Sequence, residues 1–260
     1  MYKNYTDFIA NVSKENIESV NFKSNSNYTS ILEHVTFEDG NKYIKYIKKF
    51  FPKITYNNIL EFVSINDKYG FPKKETFDFS LGQSVFCSST SLRYIFHSMI
   101  ILRYYEYKSS CKNMVEVGCG YGGLFLAICY FSKIFNIKID HYCFVDLPEI
   151  GGLIENYLNM HKEIINIKYT IHSAYNYGSD INQKNLFLIS NYCFTEISNE
   201  YRNKYIETLF PKISNGFIIW QTIFNCSIKD VNMINKNIVK IVEELPQTAS
   251  QEKKNYFVHF

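Results

Sequence analysis

Through residues 1–108, apolar side chains recur at three- and four-residue intervals, as at Ile31, Leu32 and Val35 and again at Ile44, Ile47 and Phe50. This is the period of helices with one buried face, and it predicts a helical N-terminal cap. Breaks fall at Asp39-Gly40, at Phe51-Pro52 and at 69–72, the last opening a loop expected to run past Gly82 to Cys87. The hydroxyls of 88–91 then precede apolar positions at Leu92, Ile95, Phe96, Met99, Ile100 and Leu102. They predict an N-capped amphipathic helix reaching about Tyr107.

The rhythm changes after this point. Short apolar runs at 114–117, 142–145, 167–171, 186–190 and 217–220 alternate with helical patterns at 124–135, 150–161 and 201–210. Strands of this length separated by helices imply repeated βαβ units and a parallel sheet buried on both faces. At the end, runs rich in Ile, Val and Phe at 237–244 and 256–260 flank the polar stretch 247–254 and predict an antiparallel pair. The expected organisation is therefore a cap or substrate region over 1–108 and an α/β domain over 109–260.

Length and composition narrow the class. A chain of 260 residues with 46% hydrophobic and 20% charged residues lies in the globular range rather than the disordered one. The net charge is only +3, and of the 28 basic residues just Arg93, Arg103 and Arg202 are arginine. Nucleic acid is not expected as a partner, since phosphate and base recognition draws on guanidinium forks and basic stripes. Seven cysteines, odd in number and without a CxxC pair, read as reduced core thiols of a cytoplasmic protein. Neither a secretory leader nor a membrane span is expected.

The chemistry concentrates in Val115-Glu116-Val117-Gly118-Cys119-Gly120-Tyr121-Gly122-Gly123, which joins a predicted strand to a predicted helix. Glycines at 118, 120 and 122 allow positive φ and close approach of backbone N–H groups to a ligand. No Lys-Ser or Lys-Thr follows, which removes a phosphate-gripping NTPase loop; a dinucleotide fold would show GxGxxG, a spacing that the glycines at 118, 120 and 123 also satisfy. A second carboxylate, Asp146, ends the next predicted strand 24 residues after Gly122. A carboxylate there can take both hydroxyls of a ribose in charge-assisted bonds; the alternative is an N-cap for the following helix.

The GxGxG loop with an acid two residues before it is similar to the first motif of class I S-adenosylmethionine-dependent methyltransferases. Leu92-Arg93-Tyr94, the loop, Asp146-Leu147-Pro148-Glu149 and the segment Asn191 to Ile197 together resemble the sugar O-methyltransferase group, with Ile197 where that pattern carries Met. The resemblance covers about residues 85–225. It implies a Rossmann-like, mostly parallel seven-stranded sheet with a C-terminal antiparallel pair. It implies S-adenosylmethionine as cofactor, with S-adenosylhomocysteine as product, held by Glu116, Gly118, Cys119, Gly120, Tyr121, Gly122, Asp146, Leu147, Ser173 and Asn191.

The acceptor is expected to be a small sugar, nucleotide-linked and destined for a surface or capsular polysaccharide. A natural product or phosphorus-containing metabolite, or an inactive cofactor-binding subunit, stands as the alternative; a homodimer is compatible with either. Residues after the fourth strand face the chemistry in open α/β sheets, which selects Asn191, Tyr192 and Glu196 as candidates there. Glu196, partly desolvated beside Tyr192 and Phe194, is accordingly a candidate base or hydroxyl holder, or else a helix cap. His172 is a candidate base or adenine-edge contact. Arg93, with Tyr94 and His97 on the cap helix, is a candidate diphosphate clamp, or else a surface salt bridge, and His97 could equally be a core imidazole. Tyr121 either stacks near the cofactor or packs under the cap. No metal-ligand set stands out.

Overall fold

The computed structural model describes residues 2–107, 110–223, 226–250 and 252–260. The boundary expected between residues 108 and 109 lies outside them, as does Gln251 in the expected 247–254 loop. The described chain forms two compact units, neither continuous in sequence. The first comprises Met1–Leu102, Gly120–Asn136 and Glu149–Asn166, and the second Arg103–Cys119, Ile137–Pro148 and Ile167–Phe260.

The first unit holds helices α1 (Tyr2–Val12), α2 (Ser26–Thr29), α3 (Phe37–Phe50) and α4 (Tyr56–Asn66), then strands β1 (Glu75–Ser80) and β2 (Gln83–Cys87). Helix α5 (Ser89–Tyr107) begins in it, and α6 (Gly123–Phe135) and α7 (Pro148–Asn159) belong to it almost entirely. Local chemistry sets the ends. Thr36 accepts the Asp39 N–H at the start of α3, whose first turn carries Glu38 and Asp39 and whose last carries Lys48 and Lys49, charges that complement the helix dipole. Thr55 and Asn58 form a reciprocal capping box on α4. Ser88 caps α5 by accepting the Ser91 N–H, as the run of hydroxyls predicts. Positions 123–132 of α6 are all buried, and Phe62 of α4 meets Phe131 with ring centroids 5.6 Å apart.

One expectation fails here. Residues 75–87, read as part of a loop, form the antiparallel hairpin β1–β2, with Phe77 opposite Val85 and Glu75 opposite Cys87. Only Phe77, Val85 and Cys87 are buried, too few apolar positions to make the two-residue period visible.

The second unit is built on a sheet of β3 (Asn113–Val117), β4 (His141–Asp146), β5 (Lys168–Ser173), β6 (Leu186–Asn191), β7 (Ile213–Trp220), β8 (Lys240–Glu243) and β9 (Tyr256–His259). Their order is β5-β4-β3-β6-β7-β9-β8. The first five are parallel, while β9 runs antiparallel to both β7 and β8, as the tail pattern predicts. Short helices α8 (Cys193–Glu196) and α9 (Asn199–Thr208) follow β6. The core of this unit runs from Val115, Val117 and Val145 through Phe194, Leu209 and Phe210 to Trp220, Val258 and Phe260. Strands β3, β4 and β6 lie inside the sheet and are mostly buried and apolar, the composition of strands covered on both faces. Their carboxyl ends come out side by side.

Candidate active site

In the second unit the site is set by register. Val117 pairs with Val145, Val145 with His172 and Asp146 with Ser173, so the polar ends of β4 and β5 stand beside the exit of β3 into the glycine loop. Gly118 donates its N–H to the Val145 carbonyl (3.0 Å) at φ +81°. A Cβ at Gly118 would stand 2.2 Å from Cβ of Cys193, so glycine is required there both by the left-handed backbone and by the close approach of α8. The next N–H, that of Cys119, donates to Oδ2 of Asp146 (2.6 Å), and Leu147 N–H donates to Oδ1 (2.8 Å). These two backbone bonds fix the half-buried carboxylate at the strand tip.

Glu116 sits differently. It is 2% exposed and receives the Tyr142 hydroxyl on Oε2 at 2.8 Å. Burial raises its carboxyl to about 8, with the Tyr142 bond opposing the shift and the Asp146 charge adding to it. In this geometry Glu116 ties β3 to β4 through the Tyr142 hydroxyl. The Cys119 thiol is likewise pushed up by burial and points to the Glu116 carbonyl (3.2 Å).

His172 and Ser173 end β5. His172 Nδ1 lies 2.9 Å from Oδ2 of Asp180 and Nε2 lies 2.9 Å from the Thr170 hydroxyl, while Ser173 Oγ accepts the Tyr175 N–H. Asn191 ends β6, and Tyr192 follows in a left-handed conformation (φ +67°). The Tyr192 hydroxyl donates to Oε1 of Glu244, a buried carboxylate that also takes the Thr248 and Asn255 donors. The partly desolvated setting expected for Glu196 is absent: Phe194 and Thr195 take the buried positions of this single turn, and Glu196 is exposed. It does not cap α9 either, since Ser198 holds that position. Glu196 instead lines a cavity of about 390 Å³ with Ser198, Asn199, Ile223 and Arg202. Arg202 is 1% exposed and its guanidinium holds the turn between α8 and α9 by donating to the Ile197 (2.8 Å) and Thr195 (3.3 Å) carbonyls.

In the first unit, Gly120, Tyr121 and Gly122 continue the loop into α6, with positive φ at both glycines. Tyr121 packs rather than projects. It is fully buried, its hydroxyl hydrogen-bonds the Asn66 amide, and its ring meets Tyr157 (4.8 Å), Phe22 (5.6 Å) and Tyr94 (5.9 Å). The Lys23 ammonium stands 4.2 Å above the Tyr121 ring and 4.7 Å from that of Tyr157, and donates to the Asn66 carbonyl and the Tyr157 hydroxyl. Its burial, opposed by the charges of Glu33 and Asp67, lowers it to about 8. Arg93 is 7% exposed, so it is no surface salt bridge, and its guanidinium stacks near Tyr94 at 5.7 Å. His97 is 1% exposed between Phe96 and Tyr43, with its imidazole held well below the usual range first by burial and then by the Arg93 charge. It takes the core setting.

Sequence reasoning missed Lys23, Glu33, Asn66, Asp67, Tyr157 and Cys193. Asp67 accepts Ser88 N–H, Ser88 Oγ and Ser91 Oγ at 2.6–2.8 Å, anchoring the start of α5. The available signal was weak: a lysine directly after Phe22, and a polar Asn66-Asp67 pair at the end of a helix. Among the described residues, no group of three or more His, Cys, Asp or Glu could hold a metal ion, and no helix is long and apolar enough to cross a membrane.

The strand order, with its one antiparallel strand between β7 and β8, is that of the seven-stranded sheet implied by the resemblance. No protein-family model matches the chain, and no curated protein matches it. Solved structures similar to it include magnesium protoporphyrin IX methyltransferase from Synechocystis PCC 6803 with bound SAM, at 9% identity over 65% of this chain and 80% of that one (TM-score 0.47). Others are TehB from Haemophilus influenzae, at 13% over 68% of each chain (TM-score 0.46), and an S-adenosylmethionine-dependent methyltransferase from Clostridium acetobutylicum, at 10% over 62% and 89% (TM-score 0.46).

Proposed function

We propose that the protein binds S-adenosylmethionine and transfers its methyl group to a hydroxyl of a sugar carrying an anionic, nucleotide-type handle. The observation that carries this reading is the Asp146 carboxylate, held at the tip of β4 by the Cys119 and Leu147 N–H groups. A carboxylate has about four acceptor sites, so two backbone bonds are compatible with a ribose diol on the same group. Ser173 on the adjoining strand end and Asn191 at the end of β6 supply neutral polar groups along the same sheet edge. The residues fit a nucleoside whose sugar meets Asp146, with Gly118 and Cys119 bringing backbone close to it.

A bound cofactor would supply a methyl carbon on a sulfonium, open to attack by an acceptor oxygen that gives up its proton while the carbon–sulfur pair stays on sulfur. The chain's own tasks are then orientation and removal of that proton. Asp146 and Ser173 orient the nucleoside. Glu116, bonded to Tyr142, keeps β3 and β4 in register so that the loop leaves at a fixed angle. The scarce and buried Arg93, stacked near Tyr94, suits an anionic handle with an adjoining sugar ring.

The test is a screen of nucleotide sugars and their free-sugar counterparts with labelled S-adenosylmethionine, read by a mass gain of one methyl group. Nucleotide sugars are expected to be methylated, with an efficiency that Arg93→Ala lowers by about 10-fold or more, the size of one lost charged contact. Equal methylation of free sugars, or an unaffected Arg93→Ala variant, would remove the anionic handle.

A further inference from the structure

Within the helical unit, the hairpin β1–β2 ends in an apolar tip. Ser80 pairs with Gln83 across the turn, and Leu81, one of the two residues between them, is fully exposed. The other, Gly82, has nothing within 4 Å of where its Cβ would stand. Turns of this kind ordinarily carry polar residues, so a leucine here gives the fold no buried contact. The tip is nevertheless held firmly. Ser80 Oγ donates to Gln83 Oε1 (2.6 Å), the Tyr56 hydroxyl of α4 donates to the Ser84 carbonyl (2.7 Å), and the Lys48 ammonium of α3 donates to the Phe79 carbonyl while standing 5.1 Å from the Phe79 ring. The tip therefore stands fixed beside the C-terminal half of α3.

That half of α3 is strongly basic. Tyr43, Ile44 and Ile47 are its buried face, and Lys42, Lys45, Lys48 and Lys49 are exposed, with exposed Lys53 just beyond the helix. Residues 42–53 thus carry five lysines and no acid, in a chain whose net charge is only +3. Lys42 pairs with Asp39 (3.1 Å), but among the described residues Lys45, Lys48, Lys49 and Lys53 form no ion pair. Phe50 is exposed in the same stretch, its ring 5.3 Å from the Lys49 ammonium. A single exposed leucine would mean little. One fixed beside a row of unpaired lysines matches a surface of anionic phosphates laid over an apolar interior. Nucleic acid matches it less well, since lysine lacks the guanidinium fork and leucine offers no stacking face to a base.

We infer that the β1–β2 tip and the basic face of α3 form a docking surface for an anionic lipid bilayer, with Leu81 entering the boundary between headgroups and acyl chains and Lys45, Lys48, Lys49 and Lys53 meeting lipid phosphates. The chain lies on the bilayer and does not span it. Two contributions of different kind act together: the apolar tip gains by leaving water, and the lysines gain from the negative surface potential, which salt screens. The inference is independent of the cofactor reading.

The experiment sediments the full chain with vesicles of phosphatidylcholine alone, or of phosphatidylcholine and phosphatidylglycerol in equal parts, at low and raised salt. Wild type is compared with Leu81→Ser and with the triple variant Lys45→Gln, Lys49→Gln, Lys53→Gln. A control triple, Lys184→Gln, Lys229→Gln, Lys253→Gln, makes the same change in net charge at exposed lysines of the sheet unit. Thermal unfolding confirms that each variant folds. Wild type and the control triple are expected to bind the mixed vesicles, more weakly as salt rises, and not the neutral ones. Leu81→Ser should lower the affinity by about 10-fold, and the Lys45, Lys49, Lys53 triple by about 10- to 100-fold. Leu81→Trp should bind at least as well, and its fluorescence should shift to the blue on the mixed vesicles. The chain's one natural tryptophan, Trp220, is fully buried and provides a constant background. No binding to the mixed vesicles, equal binding to neutral ones, equal losses in the two triples, or no blue shift overturns the inference. So does binding to polyuridylate as strong as to the mixed vesicles with Leu81→Ser unaffected in both, which would make the face a surface for polyanions in general.

Discussion

Each unit of the molecule buries one ionisable side chain that titrates near 8, and the two are opposite in sign. In the sheet unit it is Glu116, raised by burial and answered by a single tyrosine hydroxyl. In the helical unit it is Lys23, lowered by burial and enclosed by the Asn66 carbonyl, the Tyr157 hydroxyl and the faces of Tyr121 and Tyr157. Glu116 sits in a recognisable motif and Lys23 in none, yet the physical arrangement is the same: an ionisable group taken out of water and kept next to one arm of the glycine loop. The difference teaches that each unit backs its own stretch of the loop with a buried polar group, only one of which a motif reveals.

The comparison predicts opposite pH slopes. Folded Glu116 keeps its proton up to about 8, whereas the unfolded chain releases it near the ordinary value of 4.5, so between these limits the folded state binds more protons. Its contribution to stability is full below 4.5 and is lost as pH rises to about 8, a change on the order of 5 kcal/mol at roughly 1.4 kcal/mol per unit. Urea unfolding of wild type and Glu116→Gln across this range should show the variant gaining on wild type by that amount; parallel curves would mean Glu116 is ionised in the fold.

Lys23 behaves the other way. Between about 8 and 10.5 the unfolded chain holds a proton that the folded state has lost, so stability from this group rises with pH by on the order of 3 kcal/mol. Lys23→Met should flatten that rise in the same assay. A rise that survives the substitution would assign it to another group.

The glycines sharpen the contrast between the units at a smaller scale. Gly118→Ala meets both a positive φ and Cys193 at 2.2 Å, and should cost about 2–4 kcal/mol. Gly82→Ala, at the hairpin tip of the helical unit, has φ +75° but nothing within 4 Å, and should cost about 1 kcal/mol. Equal losses would show that backbone strain alone governs both.

What could be read without coordinates follows from how local each signal is. The strands and helices from β3 onward, the glycine loop and Asp146 at a strand tip are patterns within ten residues or fewer, and the structure places them as read. The β1–β2 hairpin escaped because too few of its positions are buried to print an alternation. The support of the loop escaped for another reason: Asn66 and Tyr157 are 43 and 134 residues from Lys23 along the chain and meet it only in the fold. Glu116 was placed correctly in the motif, but its side chain turns to Tyr142, a partner 26 residues away that no spacing announces. Glu196 looked desolvated because aromatic residues flank it in sequence; in a single helical turn the aromatic Phe194 turns inward and the glutamate outward.

The central claim is that Asp146 holds the cofactor's ribose. Calorimetry of wild type and Asp146→Ala with S-adenosylhomocysteine measures it most directly, with thermal unfolding of each apo-protein to confirm that the variant folds. Wild type should bind, and Asp146→Ala should lose about 100-fold or more in affinity, as expected for two charge-assisted hydrogen bonds. Equal affinity in a folded variant, or binding of NAD(H) in place of S-adenosylhomocysteine, would contradict the claim.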